Sequence, residues 1–419
     1  MKGKTIYVYA DFFPYHNEPI GRLYVSPEKG REIYSFEYDQ KWISQANALL
    51  IDPDLHLYRG RQYIGDGKNI FGVFADSCPD RWGRVLMKRR EMIRAKKEGV
   101  KPRRLLESDY LLGVYDQSRM GGLRFKTEAQ GDFLSDDELL ATPPWTSLRK
   151  LEQASVAFEK DDSGLEEKWL KQLIAPGSSL GGARPKATVK APDGSLWIAK
   201  FPSRNDEWNM GAWEMVVHDL AQMCGLDVPE AGLEKFSKLG STYLVKRFDR
   251  QGEQRIHFSS AMTMLGKNDG ASAVDGSSYL EIASFLKANG ASPREDLLQL
   301  WKRIVLNMAV SNTDDHFRNH GVIIKQGGWR LSPLYDVNPD IYGDDLSLNV
   351  NESDSDIDFD LAIDSADYFG VSQKDAKKIV KEISKIVCEN WIDLAKKYGI
   401  NRGEIERMEP AFQQCLRFS

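Results

Sequence analysis

Apolar and polar positions alternate along residues 4–39, most regularly over 5–10, 20–25 and 32–38, where β-branched and aromatic residues dominate. A period of two with that content predicts a small antiparallel sheet. The period then lengthens to that of helices at 82–97 and, after the Pro143-Pro144 break, at 147–159. β-rich segments return at 187–190, 196–201 and 242–248, with one helix over 208–224 that Gly225 stops in a good C-terminal cap position. From Ser259 onward the chain reads almost entirely helical, most clearly over 279–288, 294–310, 373–398 and 402–416. The expected class is α+β: an N-terminal β-rich subdomain over 1–110, a mixed lobe over 111–250 and a mostly helical C-terminal lobe over 251–419.

Composition adds boundaries to this picture. A length of 419 residues suggests two to three domains, and 41% hydrophobic with 28% charged residues is ordinary for a globular chain with real cores. A net charge of −5 argues against a chain built as a whole to coat nucleic acid. Cys78, Cys224, Cys388 and Cys415 are scattered without a C-x-x-C, which speaks against a zinc site or a disulfide framework and fits a reducing cytoplasm. The start, M-K-G-K-T-I-Y-V-Y-A-D, turns polar too soon for a signal peptide, and no apolar run approaches the roughly 18 residues needed to cross a bilayer. A cytoplasmic protein without membrane contact is expected.

The richest chemistry lies at 311–319, S-N-T-D-D-H-F-R-N, followed by L-S-P-L-Y-D-V-N-P from Leu331. Asp314 and Asn319 have four residues between them, the spacing at which a protein-kinase catalytic loop sets its base and one magnesium ligand. Asp336 follows after a short hairpin-like segment. Asp314 is the candidate general base, Asn319 and Asp336 the candidate Mg²⁺ ligands, and His316 a candidate to orient the loop by a hydrogen bond. A polar loop built on Asx turns has the same composition.

Three upstream features bear on that choice. The stretch P-G-S-S-L-G-G-A-R-P-K at 176–186 has Gly181 and Gly182, whose N–H groups suit phosphates, with Lys186 at its end. It is neither a Walker A loop nor a G-x-G-x-x-G, and a plain turn between strands reads the same. Ser178 and Ser179 stand at its entrance as modification candidates. Lys200 ends the apolar strand L-W-I-A-K, and Glu214 lies on the next helix; kinases pair such a lysine, on the nucleotide phosphates, with a helix glutamate. In Y-L-V-K-R-F-D-R, the backbone of Lys246 to Phe248 is placed to meet an adenine edge, although an amphipathic edge strand fits equally well. A basic run over 84–104 suits phosphates or an acidic partner, and the acidic stretch 352–360 a basic one; both also suit plain solvated surfaces.

Together these motifs resemble the HipA family of bacterial serine/threonine kinases, toxins of toxin–antitoxin pairs. F-G-V-F-A-D-S-C-P-D-R-W-G-R (71–84) and Y-D-Q-S-R-M-G-G-L-R-F (115–125) resemble its N-terminal subdomain; S-S-L-G-G-A-R-P-K-A (178–187), V-K-R-F-D-R (245–250), T-D-D-H-F-R-N (313–319) and L-Y-D (334–336) resemble its kinase core. The resemblance implies a two-lobed protein-kinase-like fold with an added N-terminal β-rich subdomain, ATP and Mg²⁺ as cofactors, the base on Asp314, metal ligands on Asn319 and Asp336, and the phosphate-contacting lysine on Lys200. It implies autophosphorylation at Ser179, or Ser178, that expels the Gly-rich loop and silences the enzyme. It also implies a translation component such as an aminoacyl-tRNA synthetase as protein substrate, and a helix-turn-helix antitoxin through which operator DNA is met. Gly122 stands where alanine is usual, and the doubled serine leaves the modified position open between two residues. A co-repressor acting with the antitoxin on DNA and a small-molecule phosphotransferase of the same fold are the other readings.

Overall fold

The computed structural model describes residues 3–45, 49–65, 67–138, 141–160, 173, 182 and 184–418. Ser178, Ser179 and Gly181 lie outside the described residues. The chain divides into two compact units, Met1–Ala199 with Asp249–Asn268, and Lys200–Phe248 with Asp269–Ser419.

In the first unit the alternation becomes a meander of β1 (Lys4–Phe12), β2 (Tyr15–Glu28) and β3 (Arg31–Tyr38). Two short strands that the pattern did not reveal, β4 (Gln62–Tyr63) and β5 (Leu123–Lys126), extend it to the order β4-β3-β2-β1-β5. The register sets Ile6 opposite Leu23, Leu23 opposite Phe36 and Val8 opposite Phe125, so one face buries a continuous apolar cluster. That face meets the helix Gly72–Asp76 through Phe74, whose ring lies 5.7 Å from Phe36 and 6.0 Å from Phe125. A Cβ at Gly122 would fall 2.4 Å from Phe12 Cδ1, so the Phe12 ring occupies the space that an alanine methyl would need.

The motifs of this unit are mostly internal scaffolding. Asp80 caps the helix Arg81–Glu98 by accepting from Gly83 N, and Gly99 ends it at φ 66°. Arg119 is fully buried and donates to the carbonyls of Ser77, Leu111, Val114 and Leu134 at 2.8–3.0 Å. Burial lowers its guanidinium to about 10. Asp249 accepts from Gly121 N at 2.8 Å, and Arg250 donates to Arg119 O at 2.6 Å, which ties V-K-R-F-D-R to Y-D-Q-S-R-M-G-G. The strands β6 (Lys186–Lys190) and β7 (Leu196–Lys200) lie side by side and turn at Asp193, which accepts from Ser195.

In the second unit the helix Met210–Met223 precedes the antiparallel pair β8 (Ala231–Glu234) and β9 (Thr242–Lys246), with Leu233 opposite Tyr243. The expected strand over 242–248 therefore stops at Lys246. The helices Tyr279–Asn289, Pro293–Ala309 and Gln373–Lys397 stand where the periodicity predicts them. Trp391 stacks on Phe412 at 4.3 Å and Trp213 lies beside it, filling the core. Two departures have plain causes. The single helix expected over 402–416 is broken into Arg402–Met408, a 3-10 turn at Glu409–Phe412 and Gln413–Phe418, because Pro410 lacks an N–H and crowds the preceding turn. The region after Ser259 also contains a hairpin, Gly321–Lys325 with Gly328–Leu331, whose short apolar runs fit strand or helix alike. Among the described residues, no helix is long and apolar enough to cross a membrane.

Candidate active site

The site of the second unit begins where the helix Pro293–Ala309 ends. Asn307, in its last turn, holds the chain beyond: Asn312 N donates to Asn307 O at 2.8 Å and Asn312 Nδ2 to Asn307 Oδ1 at 3.0 Å. Ser311 takes φ 48°, which turns the backbone sharply. The D-x-x-x-x-N segment then folds into a tight loop. His316 N donates to Asp314 O at 3.1 Å, Asn319 N to His316 O at 2.8 Å, and Asn319 Nδ2 to Asp314 O at 2.9 Å. The asparagine side chain thus closes the loop on the backbone of the aspartate.

Adjacent aspartates have opposite environments. The Asp314 side chain is 89% exposed. Some lost solvation from nearby protein and then the charges of Asp336, Asp315 and Asp340 push its carboxyl above the ordinary value, with His316 opposing. Solvent screens that rise at so open a position. Asp315 is 1% exposed, and its Oδ2 accepts from Asn307 Nδ2 at 2.5 Å, Tyr279 Oη at 2.7 Å and His320 Nε2 at 2.9 Å. Burial works to raise its carboxyl, but His320 and the Tyr279 hydrogen bond outweigh it and hold it below the ordinary value. The His316 ring is 3.9 Å from Asp314 Oδ1, beyond hydrogen-bond reach; its backbone, not its ring, shapes the loop.

Lys200 lies between Glu214 and Asp336; the sequence suggested the glutamate beside it but not the aspartate. Lys200 Nζ is 2.5 Å from Glu214 Oε1 and 2.6 Å from Asp336 Oδ1. Burial alone would depress the ammonium, yet the carboxylates of Asp336 and Glu214 raise it above its ordinary value. Asp336 sits at φ 59°, a left-handed conformation that aspartate tolerates better than most residues. Tyr335, just before it, donates to Arg318 O at 2.8 Å and lies 5.7 Å from the Phe248 ring. The Asn319 side chain is 2% exposed, and its Oδ1 has no hydrogen-bond partner among the described residues. An orphaned buried oxygen and a carboxylate are the hard donors that Mg²⁺ prefers. Among the described residues, no three His, Cys, Asp or Glu side chains cluster as a metal site.

Other expected residues are placed differently. Lys186, in the first unit, is 3% exposed; its Nζ lies 3.2 Å from Asp80 Oδ2 and 3.1 Å from Gly182 O. Trp82 Nε1 donates to Lys186 O at 3.1 Å. Gly182 is exposed, and a Cβ there would meet nothing within 4 Å. Lys246 N donates to Glu230 O at 2.8 Å, so that backbone donor is already satisfied, and its Nζ pairs with Glu230 at 3.0 Å. Three members of the basic run are held by carboxylates: Arg84 by Glu107, Arg94 by Glu91 and Glu98, and Arg103 by Asp109. Sequence reasoning overlooked Asn307, Tyr279 and His320. The available signal was a polar residue, Asn307, inside the apolar run I-V-L-N-M-A-V.

Residues 178–391 match the HipA-like C-terminal domain and residues 14–106 the HipA N-terminal domain. A Sinorhizobium fredii protein named "Putative kinase Y4mE" is 30% identical over 40% of this chain and 44% of its own length. A Haemophilus influenzae protein named "Putative kinase" is 27% identical over 38% of this chain and 52% of its own. The chain spans about half the length of the curated relatives it matches. The HipA of Shewanella oneidensis MR-1, solved with HipB and its operator DNA, shares the α+β fold at a TM-score of 0.66, over 99% of this chain and 96% of that one, at 16% identity. With its C-terminal domain model spanning half of the sequence and its N-terminal model most of the remaining first unit, the chain belongs to the HipA family.

Proposed function

We propose that this chain is an ATP- and Mg²⁺-dependent kinase acting on serine or threonine hydroxyls of a protein. The observation that carries the reading is the buried Lys200 bridging Glu214 and Asp336. It is the lysine–glutamate pair of a kinase, joined to the residue that would meet the metal. In this reading Lys200 holds the α- and β-phosphates while Glu214 fixes its position. Asp314, exposed beside the loop, takes the proton of the acceptor hydroxyl as that oxygen bonds to the γ-phosphorus and the bridging oxygen leaves with ADP. Asn319 Oδ1 and the Asp336 carboxylate would hold Mg²⁺, which when bound offsets the charge on the phosphates.

The names of the relatives and the HipB–operator complex of the Shewanella protein support a wider reading. The chain would be the toxin of a toxin–antitoxin pair in the cytoplasm, restrained by a helix-turn-helix antitoxin and brought to operator DNA through it. Its target would be a translation component such as an aminoacyl-tRNA synthetase, and phosphorylation of Ser179 or Ser178 would silence it by adding charge where ATP phosphates bind. Within the basic run, Arg84, Arg94 and Arg103 are engaged by carboxylates and so are less available to phosphates. Incubation with labelled ATP and Mg²⁺, followed by intact-mass measurement, tests the proposal. Phosphate on the chain or on a lysate protein is expected; no transfer together with no ATP binding would end it.

A further inference from the structure

We propose that Asp315 is the positioning residue of the catalytic loop, acting with His320 as a buried counterpart of the pair Asp314 and Asn319. Asp315 directly follows the candidate base, and His320 directly follows the candidate metal ligand. The 2.9 Å contact between their side chains therefore closes the loop from beneath, one residue out of phase with the functional pair. From above, Asn319 Nδ2 closes the same loop on Asp314 O at 2.9 Å.

The anchor reaches two helices. Tyr279 donates from the first residue of the helix Tyr279–Asn289 and Asn307 from the last turn of Pro293–Ala309, both to the Oδ2 that His320 also meets. Three donors from three elements on one buried oxygen hold the carboxylate in place, since moving it away would strand them. The Tyr279 ring stands edge-on to His320 at 5.6 Å, fixing the imidazole plane. An acceptor held this way sets the backbone from which Asp314 projects. Displacement of such a group by about 1 Å costs on the order of 100-fold in rate.

This inference rests on the phosphotransfer reading for its kinetic consequence, but not for its structural one. Asp315→Asn keeps the shape and turns an amide N–H₂ or a single weaker acceptor toward three donors. Its expected signature is a kcat at least about 10-fold lower, with ATP affinity unchanged within about twofold. His320→Gln, which retains a donor, should recover much of the rate that His320→Ala loses. Hydrogen exchange should rise over residues 313–320 in Asp315→Asn and stay unchanged in the helix Gln373–Lys397. Unchanged exchange in the loop, or wild-type kcat in an active enzyme, overturns the assignment. So does an equal loss in His320→Gln and His320→Ala. If the wild-type chain neither binds ATP nor transfers phosphate, the kinase reading falls, while the exchange measurement still decides the positioning role.

Discussion

Lys200 Nζ lies 2.6 Å from Asp336 Oδ1, although 136 positions separate the two residues in the chain. With Glu214 on its other side, the ammonium is balanced by two carboxylates in a buried place. Nucleotide phosphates would compete with Asp336 for the lysine, while Glu214 would stay. Lys200→Met is therefore expected to abolish transfer and to remove the buried ammonium that Glu214 and Asp336 share, at a cost of about 3–5 kcal/mol in denaturant unfolding. Lys200→Met with Glu214→Gln should recover most of that stability and no activity. The folded-state value of Lys200 is raised above the ordinary 10.5. Its stabilising effect is thus complete below the ordinary value and is lost as pH rises through the folded one. The wild-type midpoint should fall on that alkaline side more steeply than the midpoint of the double variant.

Asp314 predicts the acid side of the activity profile. Its carboxyl is raised above the ordinary 3.8 by some lost solvation and by Asp336, Asp315 and Asp340, against His316. A base must be unprotonated, so kcat should fall as pH drops through the raised value. Asp314→Asn should lower kcat by roughly 100- to 10,000-fold with ATP affinity unchanged. If the residual activity of that variant kept the same acid limb, the limb would belong to another group.

Much of this candidate site is legible in the sequence because its logic is linear. Lys200, Glu214, Asp314, Asn319 and Asp336 occur in a fixed order with one diagnostic spacing. The meander was legible because Ile6, Val8, Ala10 and Phe12 alternate long enough to show a period. What escaped is what depends on tertiary burial. Nothing local distinguishes Asp315 from Asp314, yet one carries the buried network and the other faces solvent. Likewise Lys186, read as a nucleotide contact from its place beside Gly182, is seated against Asp80 across 106 residues of chain. The strand β5 has too few residues to show alternation and is found only through its pairing with β1. Pro410 carries its own signal, and its missing N–H outweighs the apolar spacing around it.

Asn319 performs two tasks with two atoms: Nδ2 holds Asp314 O, and the buried Oδ1 has no partner among the described residues. The tasks separate by substitution. Asn319→Asp keeps an oxygen donor and loses the loop-closing N–H, so the magnesium concentration for half-maximal activity should change little while kcat falls. Asn319→Ala loses both and should raise that concentration on the order of 10- to 100-fold. Equal magnesium titrations for Asn319→Ala and the wild type would remove Asn319 from the metal site.

Asp80 couples the start of a helix to the base of the Gly-rich segment. Its carboxylate accepts from Gly83 N at 2.8 Å and lies 3.2 Å from Lys186 Nζ. Asp80→Asn keeps a capping oxygen but discharges the partner of a buried lysine, whereas Asp80→Ala also loses the cap, worth about 1 kcal/mol. Asp80→Ala should therefore be the less stable of the two by about that amount. Both should be partly rescued by Lys186→Met, since a buried ammonium without a counter-charge is the larger part of the loss. The Lys186→Met variant alone then separates two roles. If Lys186 serves Asp80 and Gly182 O, its removal lowers the unfolding midpoint and leaves ATP affinity within about twofold, because it takes away no group that meets the nucleotide. A loss of ATP affinity larger than the loss of stability would instead return Lys186 to the nucleotide site.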